Sequence, residues 1–360
     1  MSASDDGRRP DPARWAGRRV FLTGHTGFKG GWLACWLRWM GAEVTGFALP
    51  PEPDSLGAAL GDAGLAPGGF GDLRDAEALR QAMGAAEPSV VFHLAAQPLV
   101  RRSYADPIET FAVNVMGTAN LLQAVRATPG VKAVVSVTTD KVYENREWDW
   151  PYRETDNLGG YDPYSASKAA AELVTASWRR SFLAKAGVAV ATARAGNVVG
   201  GGDWATDRLV PDCVRAFAAG RQVRIRNPAA TRPWQHVLDP LCGYLLLAES
   251  LLDGPAHADA WNFGPGLDDV RPVTDVVDLL ARSWGEGASW ALDDDAHPHE
   301  AGLLAVDAAR ARARLGWRPA LPLALGLDWT ASWYKRHLKG EPALALVLND
   351  IERYAAGARA

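Results

Sequence analysis

Short apolar runs alternate with segments of helical periodicity through the first half of the 360-residue chain. The runs have the length and continuity of buried parallel strands and lie at 19–23, 43–48, 89–94, 133–138 and 188–193. Segments with helical spacing separate them, near 30–40, 75–84, 107–127 and 161–185. This alternation predicts an α/β fold built on a Rossmann-type, doubly wound parallel sheet.

The second half of the chain follows a looser pattern of glycine-rich loops, arginine-containing turns and helices. We therefore expect a smaller, partly interwoven substrate domain there. The predicted units are a flexible N-terminal tail (1–14), a Rossmann-type domain (15–197), a mainly substrate-binding domain (198–340) and a C-terminal helix or tail (341–360). The proline- and glycine-rich stretch 50–71 is expected to be a loop.

Composition excludes several classes of protein. A net charge of −4 gives no sign of a nucleic-acid or acidic-lipid partner. The three cysteines, Cys35, Cys213 and Cys242, form no CxxC motif, so we expect core thiols in a reduced, cytoplasmic protein. Residues 1–13 are polar and charged, unlike a signal peptide, and the longest apolar stretches are too short to predict a membrane span.

A glycine-spaced turn follows the first predicted strand. Small residues in such a turn let the backbone approach a pyrophosphate, and the unpaired N–H groups of the following helix favour an anion. The turn therefore predicts a dinucleotide site formed by six of its residues, Gly24, Thr26, Gly27, Phe28, Lys29 and Gly30.

Further features along the chain bear on this dinucleotide. No arginine lies near the end of the second strand to hold a 2′-phosphate, which favours NAD. Asp72, followed by Leu73, is placed to contact the adenine edge, although a helix N-cap is an alternative role for Asp72. Ala95, Ala96 and Gln97 follow the next strand, where small residues allow backbone contact with the cofactor.

Two short stretches carry the clearest chemical signal, Thr139-Asp140-Lys141 after an apolar run and Tyr164-Ser165-Ala166-Ser167-Lys168 at the start of a helical segment. Tyr164 and Lys168 are four residues apart and share one helix face. A positive charge beside a phenol favours its ionised form, so Tyr164 is a candidate general base for a sugar or alcohol hydroxyl. An exposed helical pair is the alternative for this spacing alone, and the dinucleotide turn favours the catalytic interpretation.

These motifs resemble those of the extended short-chain dehydrogenase/reductases, and among them the CDP-glucose 4,6-dehydratases. The resemblance covers essentially residues 15–335. It also rests on the runs 93–101, 160–165, 194–204, 232–238, 298–301 and 315–319. The glycine turn and the Tyr-Lys pair are typical of the whole superfamily, whereas the Thr-Asp-Lys triplet and the Gly-Gly-Gly-Asp-Trp run are more specific.

The resemblance implies a hydro-lyase that converts CDP-D-glucose to CDP-4-dehydro-6-deoxy-D-glucose in deoxysugar biosynthesis. Tyr164, with Thr139 and Lys168, would deprotonate the carbon-4 hydroxyl while tightly bound NAD takes a hydride that later returns to carbon 6. A protonated Asp140 would be the acid for the departing carbon-6 hydroxyl. Lys141 replaces a glutamate base of the related dTDP-glucose dehydratases, and its role is open between a neutral base and a charge that stabilises the enolate.

The substrate diphosphate requires cations, which the second half of the chain supplies. Its candidate residues are Arg208, Arg224, Arg226 and Arg232. Arg232 is the first choice for a bidentate phosphate contact, with Arg208 as a second ligand. Gln97 and Asn197 are the other predicted substrate contacts. For each arginine taken singly, a surface role is an equal alternative.

Other functions would share part of this residue set. A nucleotide-sugar 4-epimerase would need Tyr164 and Lys168 but not Asp140, and a dehydratase of another nucleotide-linked hexose would need all three. An inactive, NAD-binding regulatory protein would be expected to lack Tyr164 or Lys168. His297 and His299 lie on a proline-broken loop, and we predict no metal site there.

The helical segments 107–127 and 161–185 each carry a face of small and apolar residues at three-to-four spacing. The residues are Ala112, Val115, Met116, Ala119 and Leu122 in the first, and Ala169, Ala170, Leu173, Val174 and Ser177 in the second. Together with the resemblance, this pattern predicts a homodimer through a four-helix bundle, with two helices from each subunit. Burial of these faces against the sheet is the alternative.

Overall fold

The computed structural model describes residues 7–285, 287–293 and 301–357. Its strands are β1 (Arg19–Thr23), β2 (Glu43–Ala48), β3 (Gly68–Phe70), β4 (Val90–His93), β5 (Ala133–Val137), β6 (Ala189–Ala195), β7 (Val198–Val199), β8 (Val223–Ile225), β9 (Thr231–Pro233), β10 (Gln235–His236), β11 (Ala260–Phe263), β12 (Val270–Pro272) and β13 (Trp290–Leu292).

The α-helices are α1 (Phe28–Trp39), α2 (Leu56–Gly64), α3 (Ala76–Ala86), α4 (Val100–Ala105), α5 (Pro107–Phe111), α6 (Gly117–Ala127), α7 (Pro163–Trp178), α8 (Leu209–Ala218), α9 (Leu238–Leu252), α10 (Val273–Trp284), α11 (Ala309–Leu315), α12 (Leu323–Leu338) and α13 (Ala343–Ala355). A π-helical turn, Ala112–Met116, joins α5 to α6, and another, Arg179–Leu183, extends α7.

A seven-stranded sheet in the order β11-β6-β5-β4-β1-β2-β3 forms the centre of the fold. Every neighbouring pair in it is parallel. The direction in which the chain adds strands reverses between β1 and β4. In doubly wound folds, the crevice at the carboxyl ends of such strands is the usual ligand site.

The sheet has one hydrophobic core on each face, because side chains alternate along a strand. In β1, Val20 and Leu22 pack into the larger core, whereas Phe21 packs into the smaller one. The five residues of β5 are all buried. This two-sided burial explains why the central strands are recognisable in the sequence as continuous apolar runs.

The predicted doubly wound sheet is confirmed, and each of its five predicted strands is present. The expectation of a loop over 50–71 is wrong in part, because this stretch contains α2 and β3. The Ser55 hydroxyl caps α2 by accepting a hydrogen bond of 3.2 Å from the Ala58 backbone N–H, and Leu56 and Leu60 anchor the helix in the core. The three residues of β3 are exposed at the sheet edge, so no apolar run marks the strand.

The second half of the chain completes the sheet that the first half begins. β11 pairs with β6, and α9 packs against β5 and β6. The C-terminal α13 packs on α1 and α2. The two halves are therefore interwoven, as the sequence predicts.

The expectation of a flexible tail over 1–14 is wrong for its described part, residues 7–14. The Arg8 backbone N–H donates a hydrogen bond of 2.8 Å to the Gly316 carbonyl. The Asp11 backbone N–H donates one of 2.8 Å to the Glu249 carboxylate, which also accepts one of 2.9 Å from the Trp15 indole. The buried Trp15 side chain thus fixes this segment on α9.

Other predictions about the chain have these outcomes. Cys35, Cys213 and Cys242 are buried, free thiols. None of the helices in the described ranges combines the length and apolarity needed to cross a membrane. His297, His299 and residues 298–300 of the family-like run lie outside the described residues.

Candidate active site

A cavity of about 540 Å³ opens at the carboxyl ends of the central strands. One part of its wall comes from the glycine turn and the ends of β2 and β4, and another from Thr139, Asp140, Lys141, Tyr164 and Lys168. The remaining wall belongs to the second half of the chain. The structure therefore brings the three groups of residues predicted from separate stretches of sequence around one space.

The glycine turn has the close packing that a dinucleotide site requires. Gly24 adopts a φ of +78°, and a Cβ at Gly30 would lie 1.9 Å from the Gly24 carbonyl oxygen, so neither position accepts a larger residue without rearrangement. Gly27 begins α1 without any capping side chain. The first N–H groups of α1 are thus left for a ligand, and this arrangement fits the pyrophosphate of a dinucleotide.

Asp72 and Leu73 line the cavity on the β2 side, as predicted. The Asp72 carboxylate accepts a hydrogen bond of 2.8 Å from the Arg74 backbone N–H and also binds the Arg74 guanidinium, which lowers the pKa of this carboxyl. Asp75, and not Asp72, is the N-cap of α3. The N-cap alternative for Asp72 is therefore wrong.

Arg74 lies in the same wall and was not singled out from the sequence. The expectation that no arginine lies near the end of the second strand concerned the stretch after β2, whereas Arg74 follows β3. The guanidinium is already bound by Asp72, with a shortest contact of 2.5 Å. An arginine two residues after a predicted adenine ligand, in the run Gly71-Asp72-Leu73-Arg74, was the available signal.

Ala95 and Ala96 line the cavity, but Gln97 is not among its lining residues. The Gln97 side chain is buried, where its amide donates to the Thr110 hydroxyl at 2.9 Å and its oxygen accepts from the Leu99 backbone N–H at 2.6 Å. These bonds hold the loop after β4 against the α5 region. The structure therefore does not support the prediction that the Gln97 side chain contacts substrate.

Thr139 and Asp140 lie in the turn that follows β5. The Thr139 hydroxyl donates a hydrogen bond of 3.0 Å to Asp140 Oδ1, whereas Asp140 Oδ2 is buried without a partner in the described structure. Burial raises the pKa of the Asp140 carboxyl, against the opposing charge of Lys141. A carboxyl with a raised pKa and an unpartnered oxygen, in the wall of a cavity, is suited to hold and give a proton.

Tyr164 and Lys168 lie on the first turns of α7. Asp162 caps this helix by accepting a hydrogen bond of 2.9 Å from the Ser165 backbone N–H, and Pro163 occupies the first helical position. The helix start is thus specified locally. It places Tyr164 beside Thr139, and the two side chains form a hydrogen bond.

The electrostatics of this pair differ from the sequence expectation. Burial raises the pKa of Tyr164 to about 12, and the groups that oppose this effect are the Thr139 hydroxyl and the Arg208 charge. The Lys168 ammonium donates a hydrogen bond of 3.2 Å to the Val137 carbonyl of β5. Burial, followed by the positive charge of Lys29, lowers the pKa of Lys168 to about 8. The expectation that Lys168 is the group activating the phenol is therefore not met in this structure.

The cavity wall from the second half is rich in guanidinium groups. Asn197 and the predicted arginines line it, namely Arg208, Arg224, Arg226 and Arg232. Arg208 pairs with Asp203 of the Gly-Gly-Gly-Asp-Trp run at 2.9 Å. The buried Arg232 donates hydrogen bonds to the backbone carbonyls of Thr231, Ala301 and Gly302. This concentration of positive charge fits a diphosphate.

Two residues of this wall were missed by the sequence analysis. Asp207 pairs with Arg101 at 3.3 Å and with Arg226 at 3.4 Å, and all three residues line the cavity. In the sequence, Arg101 is marked only as the last residue of the family-like run 93–101. The contact joins α4 to the second half of the chain, so no local pattern could reveal it.

Within the described part of the chain, no group of three or more histidine, cysteine, aspartate or glutamate side chains is arranged to hold a metal ion.

Comparison with known proteins gives the family. The model of the NAD dependent epimerase/dehydratase family matches residues 20–264. The chain belongs to this family. It is 49% identical over 347 residues to the CDP-glucose 4,6-dehydratase of Salmonella typhimurium, covering 94% of this chain and 97% of that protein. It is 31% identical over 270 residues to a dTDP-glucose 4,6-dehydratase of Streptomyces griseus, covering 74% and 77% of the two chains.

Solved structures of similar proteins share the fold and contain the expected ligands. A dTDP-glucose 4,6-dehydratase from Streptomyces venezuelae, DesIV, with NAD and DAU bound, matches with a TM-score of 0.76 at 26% identity, covering 91% of this chain and 99% of that one. MoeE5 in complex with UDP-glucose and NAD matches with a TM-score of 0.76 at 28% identity, covering 89% and 99%.

Proposed function

We propose that this protein is an NAD-dependent CDP-glucose 4,6-dehydratase that forms CDP-4-dehydro-6-deoxy-D-glucose. The observation that carries the proposal is the buried Asp140 carboxyl, which has an unpartnered Oδ2 and belongs to the wall of the same cavity as Thr139 and Tyr164. A 4-epimerase has no hydroxyl to expel and no use for such an acid. The 49% identity to a CDP-glucose 4,6-dehydratase supports the choice of substrate.

The glycine turn would hold the cofactor pyrophosphate at the start of α1. Asp72, Leu73, Ala95 and Ala96 would form the adenosine end of the site. When bound, NAD supplies a hydride acceptor for carbon 4 of the glucose and a hydride donor for carbon 6, so the cofactor is restored in every turnover. Residues on both sides of the cavity would keep it in place.

The residues after β5 and at the start of α7 would move the protons. Tyr164 Oη takes the proton of the carbon-4 hydroxyl, and the hydrogen-bonded Thr139 hydroxyl fixes the position of the phenol. Lys168 positions the cofactor and supplies positive charge at the base of the site. Asp140 Oδ2 gives its proton to the carbon-6 hydroxyl, which departs as water.

For Lys141, we propose the role of a charged group and not that of a neutral base. Its positive charge acts on the Asp140 carboxyl and opposes the effect of burial there. An ammonium at this place would stabilise the enolate oxygen that forms when the carbon-5 proton is lost. Arg208, Arg232 and Asn197 would bind the diphosphate and the adjoining sugar.

We also propose that the protein is a homodimer through the helices around 107–127 and 161–185. These helices expose large apolar side chains, with Ile108 78%, Met116 57% and Leu173 62% exposed. Exposed apolar groups on two adjacent helices are typical of a subunit interface. Leu122 of the predicted face is instead fully buried in the sheet core, so that face is narrower than the sequence indicates.

The substrate is tested by incubating the purified protein with CDP-, dTDP-, UDP-, GDP- and ADP-glucose and following each by mass spectrometry. We expect loss of one water from CDP-glucose, with a higher kcat/KM than for any other nucleotide. If only another nucleotide-glucose loses water, the protein is still a 4,6-dehydratase, but its substrate carries a different nucleobase. Conversion of an NDP-glucose to its 4-epimer without loss of mass would contradict the proposal.

A further inference from the structure

A third lysine, Lys29, lies at the reaction centre in addition to Lys141 and Lys168. It is the second residue of α1, directly after the glycine turn. From sequence position alone it belongs with the cofactor pyrophosphate. The structure, however, places it in the wall of the cavity with Asp140, Tyr164 and Lys168.

The charges that act on Lys29 come from catalytic residues and the second half of the chain. Asp140 and Asp203 favour its ammonium form, and Arg208 opposes it. The effects are mutual, because the Lys29 charge also acts on Asp140 and on Lys168. Lys29 thus lies where the turn after β5, the helix α7 and the Gly-Gly-Gly-Asp-Trp loop meet.

We propose that Lys29 is a catalytic residue that acts with Asp140 on the carbon-6 hydroxyl. This inference rests on the proposed dehydration. The ammonium of Lys29 donates a hydrogen bond to the carbon-6 oxygen while the Asp140 carboxyl transfers its proton to the same oxygen. A water molecule in the open cavity takes the carbon-5 proton, and the electron pair of that carbon–hydrogen bond forms the new double bond between carbons 5 and 6. The bond between carbon 6 and oxygen breaks, and the oxygen leaves as water with the proton from Asp140.

The physical reason is the charge that this step leaves behind. Asp140 becomes a carboxylate in a buried place, and an isolated buried charge is costly. Lys141, Arg232 and Lys29 are the cations that oppose this cost. Lys29 keeps its proton throughout the step, so the proton that joins the carbon-6 oxygen comes from Asp140 alone.

Burial, together with the Arg208 charge, lowers the pKa of Lys29 to about 8. A neutral Lys29 could not stabilise the carboxylate, so the dehydration step should slow as the pH rises through this value. Asp140, Asp203 and Lys168 are the other charged groups that face Lys29. All three remain unchanged in the variants of Lys29 compared below. An arginine at position 29 would stay charged at every pH used.

The test separates oxidation from dehydration. The parent protein and the variants K29M and K29R are mixed with CDP-glucose and saturating NAD, and reduced NAD is followed by its absorbance in a single turnover. We expect K29M to accumulate reduced NAD and to form dehydrated product at least 100-fold more slowly than the parent. We expect K29R to retain dehydration and to lose the decline of that step above about pH 8.

Two outcomes would overturn the proposal. One is a K29M protein that dehydrates at the parental rate, or recovers that rate when NAD is raised, because Lys29 would then be only a cofactor contact. The other is a folded K29M protein, judged by its thermal unfolding, that forms no reduced NAD. If the parent itself releases no water from CDP-glucose, the proposed function fails instead, independently of Lys29.

Discussion

At the scale of single residues, burial affects the pKa values in the reaction centre more than direct ion pairing does. The Asp140 carboxyl and the Tyr164 phenol are both buried, and both have raised pKa values for that reason. With a pKa of about 12, Tyr164 is protonated before substrate arrives, and the raised pKa of Asp140 favours the protonated form of its carboxyl. This state suits Asp140 as an acid, whereas Tyr164 must give up its proton to solvent or to a neighbour before it can act as a base.

Replacing Tyr164 by Phe should remove the base and little else. We expect turnover to fall by about 10²–10⁴-fold, the usual contribution of a general base, while NAD stays bound. The measurement is kcat for CDP-glucose together with the cofactor content of the purified protein. Tyr161→Phe is the matched control, because that tyrosine is 82% exposed three residues earlier. Activity within a few-fold of the parent would remove Tyr164 from the role of base.

Replacing Asp140 by Asn should stop the reaction after its first step. The amide can donate hydrogen bonds but cannot protonate the departing hydroxyl. We expect reduced NAD and solvent exchange at carbon 5 to persist, with dehydrated product formed about 10²–10⁴-fold more slowly. Asp149→Asn, an exposed position in the same loop, is the control. Unimpaired dehydration by the Asn variant would contradict the assignment of Asp140 as the acid.

At the scale of elements, a buried ion pair ties the catalytic helix α7 to the sheet. Glu172, one turn beyond Lys168, accepts hydrogen bonds of 2.9 Å from the Arg194 Nε and Nη2 groups of β6. It also accepts bonds of 2.6 Å and 2.7 Å from the hydroxyls of Thr138 and Thr192. Thr138 directly precedes Thr139, so this pair sets the position of α7 relative to the turn that carries the acid.

Replacing Glu172 by Gln should destabilise the protein by about 3–5 kcal/mol, because it leaves Arg194 buried without its counter-charge. Burial alone would raise the pKa of Glu172, but the charge of Arg194 and the hydrogen bonds outweigh it and lower the value. The stabilisation is therefore complete above the ordinary pKa of 4.5 and is lost as the pH falls through the depressed folded-state value.

The difference in melting temperature between parent and Glu172→Gln should accordingly shrink in acid. Glu87→Gln is the control, since its ion pair with Arg19 is largely exposed and exposed pairs contribute little. Equal shifts for the two variants, or a difference that does not depend on pH, would contradict this account.

The same scale shows what sequence could predict. Strands buried on both faces, such as β5, appear in the sequence as unbroken apolar runs. The start of α7 is predicted by the capping residue Asp162 and by Pro163 after it. The motif residues meet because their elements are neighbours. The glycine turn follows β1, Thr139-Asp140-Lys141 follows β5, and Tyr164 lies at the start of α7. Edge strand β3 could not be predicted, because its residues are exposed and gain their order from pairing with β2.

Side-chain direction was equally beyond the sequence. Gln97 lies in a motif yet its amide is bound to Thr110, whereas Arg74 lies outside the predicted set and lines the cavity. Lys29 follows the glycine turn but faces the acid Asp140. Each of these outcomes depends on contacts between segments distant along the chain, and a local pattern contains no information about them.

At the scale of the whole molecule, the exposed apolar side chains of the α5–α6 and α7 helices form one surface. Removing Leu173 and Met116 from water in a subunit interface would favour association through the apolar area buried. Since α7 also carries Tyr164 and Lys168, a subunit interface on this surface would restrain the catalytic helix from its outer side.

Leu173→Glu should therefore dissociate the proposed dimer and lower activity. The measurement is mass by light scattering at micromolar concentration, alongside kcat. Leu267→Glu is the matched control, because this leucine is 70% exposed on a turn outside those helices. A parent protein that is monomeric under these conditions, or a Leu173→Glu protein that keeps the parental mass, would contradict the dimer.

The late position of β11 in the chain has a consequence for how the protein is made. β6 emerges from the ribosome about 65 residues before its partner strand, and until then it presents an unpaired edge with an apolar face that α9 has yet to cover. The sheet of the nascent chain therefore lacks its last edge strand, β11. Folding of this protein in a crowded cell should depend on chaperones that shield such an edge, most of all while residues 195–263 are being translated.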